Sequence, residues 1–242
     1  MPKNTDRYVT LNVSDGSHMS AYVARPSSPG RHPGLMLFQE AFGVNAHIRD
    51  VAERFASAGY VTIAPELFHR TAPGFEGSYT DFESTRPHTG ALTPGALEAD
   101  VRSAFAWLQG DQGTEPSRIF ATGYCMGGRV SFIANSIVPV RAAASFYGGG
   151  IAPAYLDRAP NLNAPMLFFW GGRDRHIGPD TIALVTGALR AAGKPFVNVE
   201  ISDADHGFFC DARAAYNKTA AAQAWGLLRT FFAENGGASN PV

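Results

Sequence analysis

The sequence lacks the features that mark secreted, membrane-spanning and nucleic-acid-binding proteins. Only two of its 242 residues are cysteines, Cys125 and Cys210, so no disulfide framework is expected and a reducing cytoplasm is indicated. A formal net charge of -1 offers no field that would attract nucleic acid. No apolar run is long enough to span a bilayer, and the N-terminal stretch MPKNTDRYVT lacks the apolar segment of a secretory signal. These absences predict a cytoplasmic protein that binds neither nucleic acid nor membrane.

Motifs for the common cofactors and metals are absent as well. The chain contains no G-x-G-x-x-G dinucleotide fingerprint and no G-K-[ST] phosphate loop. It also has no H-x-x-x-H or H-E-x-x-H spacing that would place two imidazoles on one helix face. We therefore expect no cofactor and no metal.

What is present is the alternating pattern of an α/β protein. Hydrophobic residues make up 45% of the chain and charged residues 17%, as in ordinary globular proteins, and the length favours one domain over residues 1–242. Apolar runs alternate with amphipathic helical segments, which predicts a doubly wound, mostly parallel sheet that begins with a β-hairpin. Residues 66–95 are interrupted by proline and glycine, which predicts a long loop forming a pocket wall. The predicted strands are 8–13, 19–24, 34–39, 60–64, 119–121, 142–147, 165–170 and 196–201, and the predicted helices include 46–58, 96–109, 181–192 and 212–233.

The stretch RIFATGYCMGGRV, residues 118–130, has the pattern of a nucleophile elbow. An apolar strand leads into G-x-C-x-G and then into helical spacing, with Cys125 in place of the usual serine. Gly123 and Gly127 leave room for the tight turn, and the start of a helix favours a thiolate. A buried structural cysteine is the commoner role of an isolated cysteine, but the flanking glycines favour the nucleophile.

Four residues with catalytic chemistry follow predicted strands. Glu40, Cys125, Asp174 and His206 each lie in a loop after a strand, and ligands of open α/β sheets bind at the carboxyl ends of the strands. Their coincidence predicts an active site there. His176, two residues after Asp174, is expected to be solvated or to line the pocket.

Four motifs of the chain resemble those of the dienelactone hydrolase family, which has the α/β-hydrolase fold. The resemblance extends from about residue 8 to residue 232 and rests on Gln39–Asn45, Gly123–Gly128, Gly171–Asp174 and His206–Phe208. It implies hydrolysis of a lactone or small carboxylic ester by a triad of Cys125, His206 and Asp174, through an acyl-enzyme. It also implies that Glu40 lies beside the thiol and takes its proton when substrate binds.

The resemblance also indicates how the substrate is held. Backbone N–H groups of Ala41 and Met126 are expected to form the oxyanion hole. Arg86, Tyr147 and Phe42 are expected to contact the substrate. The family binds a substrate carboxylate with two arginines, and Arg86 is the only arginine in a place comparable to the one in the long loop after the fourth strand.

The chain departs from the family at one substrate-binding position. The arginine that the family has four residues after the histidine is here Cys210, which has no guanidinium. Arg213 is a candidate to replace it, and Cys210 is also a candidate redox partner of Cys125. We therefore expect hydrolysis of a small-molecule ester or lactone other than dienelactone, by a monomer or small homo-oligomer. The alternatives are a broad carboxylesterase or thioesterase, and a non-catalytic ligand-binding or thiol-sensing protein.

Overall fold

The computed structural model describes residues 7–237, which fall into two compact units. The first unit ends at Ile119 and the second begins at Phe120. This boundary lies within one strand, and a single domain over the whole chain stays a prediction. The strands are β1 Tyr8–Asn12, β2 His18–Ala24, β3 His32–Phe38, β4 Val61–Pro65, β5 Thr114–Tyr124, β6 Ala143–Phe146, β7 Met166–Gly171 and β8 Phe196–Ile201. The α-helices are α1 Ala46–Ser57, α2 Arg86–Gly90, α3 Pro94–Gly110, α4 Met126–Ile137, α5 Pro179–Ala191 and α6 Lys218–Asn235.

The first unit contains the predicted β-hairpin. Strands β1 and β2 pair antiparallel, β2 pairs antiparallel with β4, and β3 pairs parallel with β4. All five residues of β4 are buried, as expected for a strand covered on both faces. Helix α1 buries an apolar face that includes Ile48, Val51 and Phe55, and the Asn45 side chain caps its start by accepting from the Ile48 N–H at 3.2 Å.

The second unit is a set of parallel strands connected by helices. Strand β5 pairs with β6, β6 with β7 and β7 with β8, all parallel. Because neighbouring parallel strands end at the same edge, the loops after β5, β7 and β8 are brought together. Strands β6 and β7 are buried throughout, whereas β8 is partly exposed along its length.

Two predicted segments differ from the structure. Residues 66–95 are not loop throughout, because they contain a short 3-10 turn at Glu83–Thr85 followed by α2. The last helix begins at Lys218 rather than at residue 212, because Asn217 caps it by accepting from the Ala220 N–H at 3.1 Å. Within residues 7–237, no helix is long and apolar enough to cross a membrane.

Candidate active site

Cys125 lies on a strained turn between β5 and α4. It is the residue immediately before the first turn of α4 and has φ 54 and ψ -116, a conformation that residues with a side chain rarely adopt. Its N–H donates to the Phe146 carbonyl at 3.0 Å, and its carbonyl accepts from the Gly128 N–H at 3.0 Å. The side chain is partly exposed. The thiol is therefore held at the end of the strand in an accessible position.

The glycines around Cys125 are required by close backbone approaches. A Cβ on Gly123 would overlap the carbonyl group of Gly127. A Cβ on Gly128 would lie 2.8 Å from the Phe146 carbonyl oxygen, so α4 packs directly on the end of β6. These approaches account for Gly123 and Gly128 in the G-x-C-x-G-G pattern of the sequence.

Asp174 and His206 form a short hydrogen bond. Asp174 follows β7, His206 follows β8, and His206 Nδ1 lies 2.7 Å from Asp174 Oδ2. The other carboxylate oxygen accepts from the backbone N–H groups of His176 at 2.8 Å and Ile177 at 3.2 Å. Burial raises the pKa of Asp174, but the hydrogen bond from His206 and the two backbone donors outweigh it, so the pKa lies below its ordinary value.

Backbone hydrogen bonds join the two loops that carry this pair. The Gly172 N–H donates to the Ile201 carbonyl at 2.8 Å, and the Arg173 N–H donates to the Ala204 carbonyl at 2.9 Å. A Cβ on Gly171 would lie 2.6 Å from the Ala204 carbonyl oxygen. The glycines of the G-G-R-D motif therefore allow the loops to approach closely enough for the acid to reach the imidazole.

The pKa of His206 is raised by its two partners, Asp174 and Cys125. Burial lowers its pKa, but hydrogen bonds with Asp174 and Cys125, together with the charges of those groups, raise the pKa of His206 to about 10. Because Nδ1 faces Asp174, Nε2 is the nitrogen that remains for Cys125. The structure thus brings Cys125, His206 and Asp174 into one connected set within the second unit.

Two aromatic rings flank His206. The Tyr147 ring centroid lies 5.0 Å from that of His206, and Tyr147 is fully buried with φ 38. The exposed His176 ring lies edge-on to His206 with centroids 5.4 Å apart. The sequence analysis predicts only that His176 is solvated or lines the pocket. The structure shows in addition that its backbone N–H donates to Asp174. The signal was available, because an aspartate often accepts from the N–H two residues later.

The residues of the first unit that the sequence predicts to belong to the site lie directly after β3 or at the start of α2. Glu40, Ala41 and Phe42 are all buried, and Phe42 packs edge-to-face against Tyr79 with centroids 4.6 Å apart. Arg86 has a side chain that is 67% exposed and pairs with Glu83 at 3.0 Å. Arg86 is therefore a surface residue of a short helix that already has a carboxylate partner.

The remaining predicted residues lie near His206 or at the start of α4. Met126 is the first residue of α4, where backbone N–H groups have no partner within the helix. Cys210 is completely buried. The guanidinium of Arg213 lies against Gly207, which follows His206 and has φ 85. Arg213 is thus placed beside the loop that carries the histidine.

Comparison with known proteins gives one consistent family. The model of the dienelactone hydrolase family matches residues 19–236. A protein of Synechocystis sp. named "Putative carboxymethylenebutenolidase" is 37% identical over 229 residues, covering 88% of this chain and 91% of that protein. A protein of Bradyrhizobium sp. named "Probable 2-oxo-3-(5-oxofuran-2-ylidene)propanoate lactonase" is 27% identical over 222 residues, covering 88% of each chain.

A solved structure extends this agreement to the fold. The crystal structure titled "Putative Dienelactone Hydrolase" from Klebsiella pneumoniae superposes with a TM-score of 0.85 at 32% identity. The match covers 94% of this chain and 98% of that one. The predicted α/β-hydrolase fold, with its mostly parallel sheet and N-terminal hairpin, is confirmed.

Proposed function

The chain belongs to the dienelactone hydrolase family of carboxylic ester hydrolases, and from this premise we propose that it cleaves a lactone or small carboxylic ester with Cys125 as nucleophile. The observation that carries the proposal is the connection of three groups. The acid Asp174 holds His206 at 2.7 Å, and His206 is hydrogen-bonded to the thiol of Cys125 on its strained turn. A nucleophile, a base and a group that orients the base are the elements of covalent hydrolysis.

The proposed reaction has two steps. In the first, Cys125 Sγ, as a thiolate whose proton has passed to His206, attacks the carbonyl carbon, a C–S bond forms, and the C–O bond to the leaving oxygen breaks as His206 Nε2 gives that oxygen the proton. In the second, His206 takes a proton from water, the water oxygen attacks the thioester, and the C–S bond breaks to release the acid. Asp174 keeps the imidazole oriented and stabilises its charged form in both steps.

Two further roles are carried from the family resemblance. Backbone N–H groups of Met126 and Ala41 are proposed to stabilise the oxyanion, an interaction whose loss typically lowers the rate by a factor of about 100 or more. Glu40 is proposed to exchange a proton with the thiol. The position of Met126 at the start of α4 and the complete burial of the Glu40 side chain support these roles.

The substrate is proposed to differ from dienelactone. Cys210 is buried and has no guanidinium, and Arg86 is exposed and already paired with Glu83, so neither supports a fixed carboxylate site. Arg213 beside Gly207 is the remaining candidate among the residues considered for that role. These observations argue against dienelactone carboxylate as the substrate, because neither family position for an arginine holds a fixed guanidinium.

Alkylation combined with a substrate panel tests the proposal. Hydrolysis of p-nitrophenyl acetate, a simple lactone and a dienelactone carboxylate would be measured before and after iodoacetamide treatment, with mass spectrometry to locate the label. We expect that labelling of Cys125, without labelling of Cys210, abolishes turnover. The Cys210→Ser variant should remain active and should be as sensitive to iodoacetamide as the wild type. His206→Ala should lose turnover.

Three outcomes would contradict the proposal, in whole or in part. Turnover that survives complete labelling of Cys125 would remove the thiol from the reaction. Labelling of Cys125 without turnover of any substrate would instead favour a ligand-binding or thiol-sensing protein. A strong preference for dienelactone carboxylate over neutral esters would overturn the proposed substrate range while leaving the triad intact.

A further inference from the structure

Arg129 is a half-buried cation whose donors are not used by any protein group in the part of the chain that the structure describes. It lies in the first turn of α4, four residues after Cys125, and its Nε is buried without a hydrogen-bond partner. Among residues 7–237, no hydrogen bond or ion pair is formed by its guanidinium. Arginine has five N–H donors, and buried donors are nearly always satisfied by a protein group, a water or an ion. The side chain therefore has both charge and donors available for a ligand.

The surroundings of Arg129 hold the guanidinium without neutralising it. Its Nη1 would lie 2.8 Å from a Cβ on Gly150, a residue with φ 81, so the side chain packs closely on this glycine. Its Cζ lies 6.0 Å from the centroid of the Tyr155 ring, at the limit of a cation–π contact. Neither contact supplies an acceptor with negative charge. The guanidinium is positioned by packing rather than by a carboxylate.

Arg129 and the proposed triad border the same loop. The loop after β6 begins at Tyr147, whose ring packs on His206, and continues to Gly150, which packs on Arg129. Between them, a Cβ on Gly149 would lie 3.8 Å from Ile177, which donates its N–H to Asp174. Side chains of a helix lean toward its N-terminus, so Arg129 extends toward the end of α4 that carries the thiol. A ligand at Arg129 would therefore border the same loop as the triad without using any of the triad's groups.

We propose that Arg129 binds a carboxylate in a subsite formed with Gly150 and Tyr155. A guanidinium presents two parallel N–H donors that match the two oxygens of a carboxylate, and the partial burial of Arg129 strengthens such a pair. The carboxylate belongs either to the substrate itself or to a free acid, and these two sources share the same chemistry. Binding of a carboxylate here goes beyond the proposed hydrolysis, which requires no group of this subsite.

Nuclear magnetic resonance tests the subsite independently of any activity. In 15N-labelled protein, the Arg129 side-chain Nε–H signal is identified by its loss in Arg129→Gln, and sodium acetate is then titrated against sodium chloride at equal ionic strength. We expect a saturable shift of this signal with acetate alone. The exposed Arg141, in the same unit, serves as the matched position, and Arg141→Gln should leave the titration of Arg129 unchanged. The absence of a saturable shift, or an equal shift with chloride, would overturn the proposal.

Kinetics distinguishes the two sources of carboxylate. Monomethyl succinate carries a free carboxylate and dimethyl succinate does not. If the substrate supplies the anion, Arg129→Gln should raise KM for the monoester about tenfold or more and leave KM for the diester unchanged, because a charge-assisted pair is worth about one factor of ten in affinity. If both KM values stay unchanged while acetate binds at Arg129, the subsite takes a free acid. Arg129→Lys, which keeps the charge but not the paired donors, should weaken acetate binding, read from the backbone N–H of Gly150 because this variant has no guanidinium signal at position 129.

Discussion

Replacement of Asp174 by asparagine tests how the proposed triad is held together. The carboxylate now accepts the His206 N–H through one oxygen and two backbone N–H groups through the other. An asparagine has one oxygen and one NH2 group, so it cannot serve both sides. If its oxygen keeps the backbone donors, its NH2 faces Nδ1 and forces the imidazole into the wrong tautomer. If the side-chain amide is rotated by 180° instead, its oxygen faces His206 and its NH2 faces the two backbone N–H groups, which then have no acceptor.

The size of the effect follows from the charge that is lost. An adjacent opposite charge shifts a pKa by about 1–3 units, and each unit corresponds to about 1.4 kcal/mol. Loss of the Asp174 charge therefore removes on the order of 1.4–4 kcal/mol from the stability of the His206 imidazolium. The wrong tautomer adds to this, and an orienting aspartate is worth up to about 10⁴ in the rate of related triads. We expect kcat/KM of Asp174→Asn to fall by about 10² to 10⁴.

The assay compares Asp174→Asn with Asp180→Asn, a matched change in the exposed first turn of α5. kcat/KM for p-nitrophenyl acetate would be measured across the neutral and alkaline range, and thermal unfolding would verify that both variants are folded. The control should keep the wild-type rate. A folded Asp174→Asn protein with less than about a tenfold loss would refute the role assigned to this carboxylate.

Two further predictions concern stability. Asn135 donates to the Ala164 carbonyl at 2.8 Å and accepts from the N–H groups of Asn163 at 3.1 Å and Ala164 at 2.9 Å, so Asn135→Ala should lower the free energy of unfolding by about 2–4 kcal/mol. Urea unfolding measures this, with exposed Asn161→Ala as control, and a loss under about 1 kcal/mol would contradict it. The pKa of His206 rises on folding from 6.5 to about 10, so its stabilising contribution is complete below pH 6.5 and disappears as the pH rises through about 10. The difference in unfolding free energy between wild type and His206→Gln should shrink over that range, and a constant difference would exclude the raised pKa.

The sequence was most informative where a pattern is local. The hairpin, the buried strands and the strained turn at Cys125 follow from apolar runs and from the spacing of Gly123 and Gly127. Propensity misled at residues 212–217, an alanine-rich stretch whose backbone forms turns, because the helix begins only where Asn217 supplies a cap.

Features of the site that depend on distant residues were not predictable. Tyr147, which has a positive φ, follows β6 and His206 follows β8, so the packing of their rings joins two loops that are far apart in the chain. The unused donors of Arg129 become visible only when its neighbours Gly150 and Tyr155 are known. A single sequence gives residue types and local conformation, but not which polar atoms lack a partner.

Backbone hydrogen bonds between the loops after β7 and β8 position Asp174 and His206 independently of the exposed side chains of these loops. Gly172 and Arg173 hold the two loops through main-chain atoms. Gly172 has to stay glycine because a Cβ there would lie 2.7 Å from Ser202 Cα, whereas at Arg173 only proline would remove the hydrogen bond. Exposed side chains of the same loops, including Arg173, Arg175 and His176, can therefore change without moving the acid from the imidazole. Libraries that vary these three positions should yield many folded proteins with an intact Asp174–His206 pair and altered substrate preference, which makes this rim of the site a suitable starting point for directed evolution.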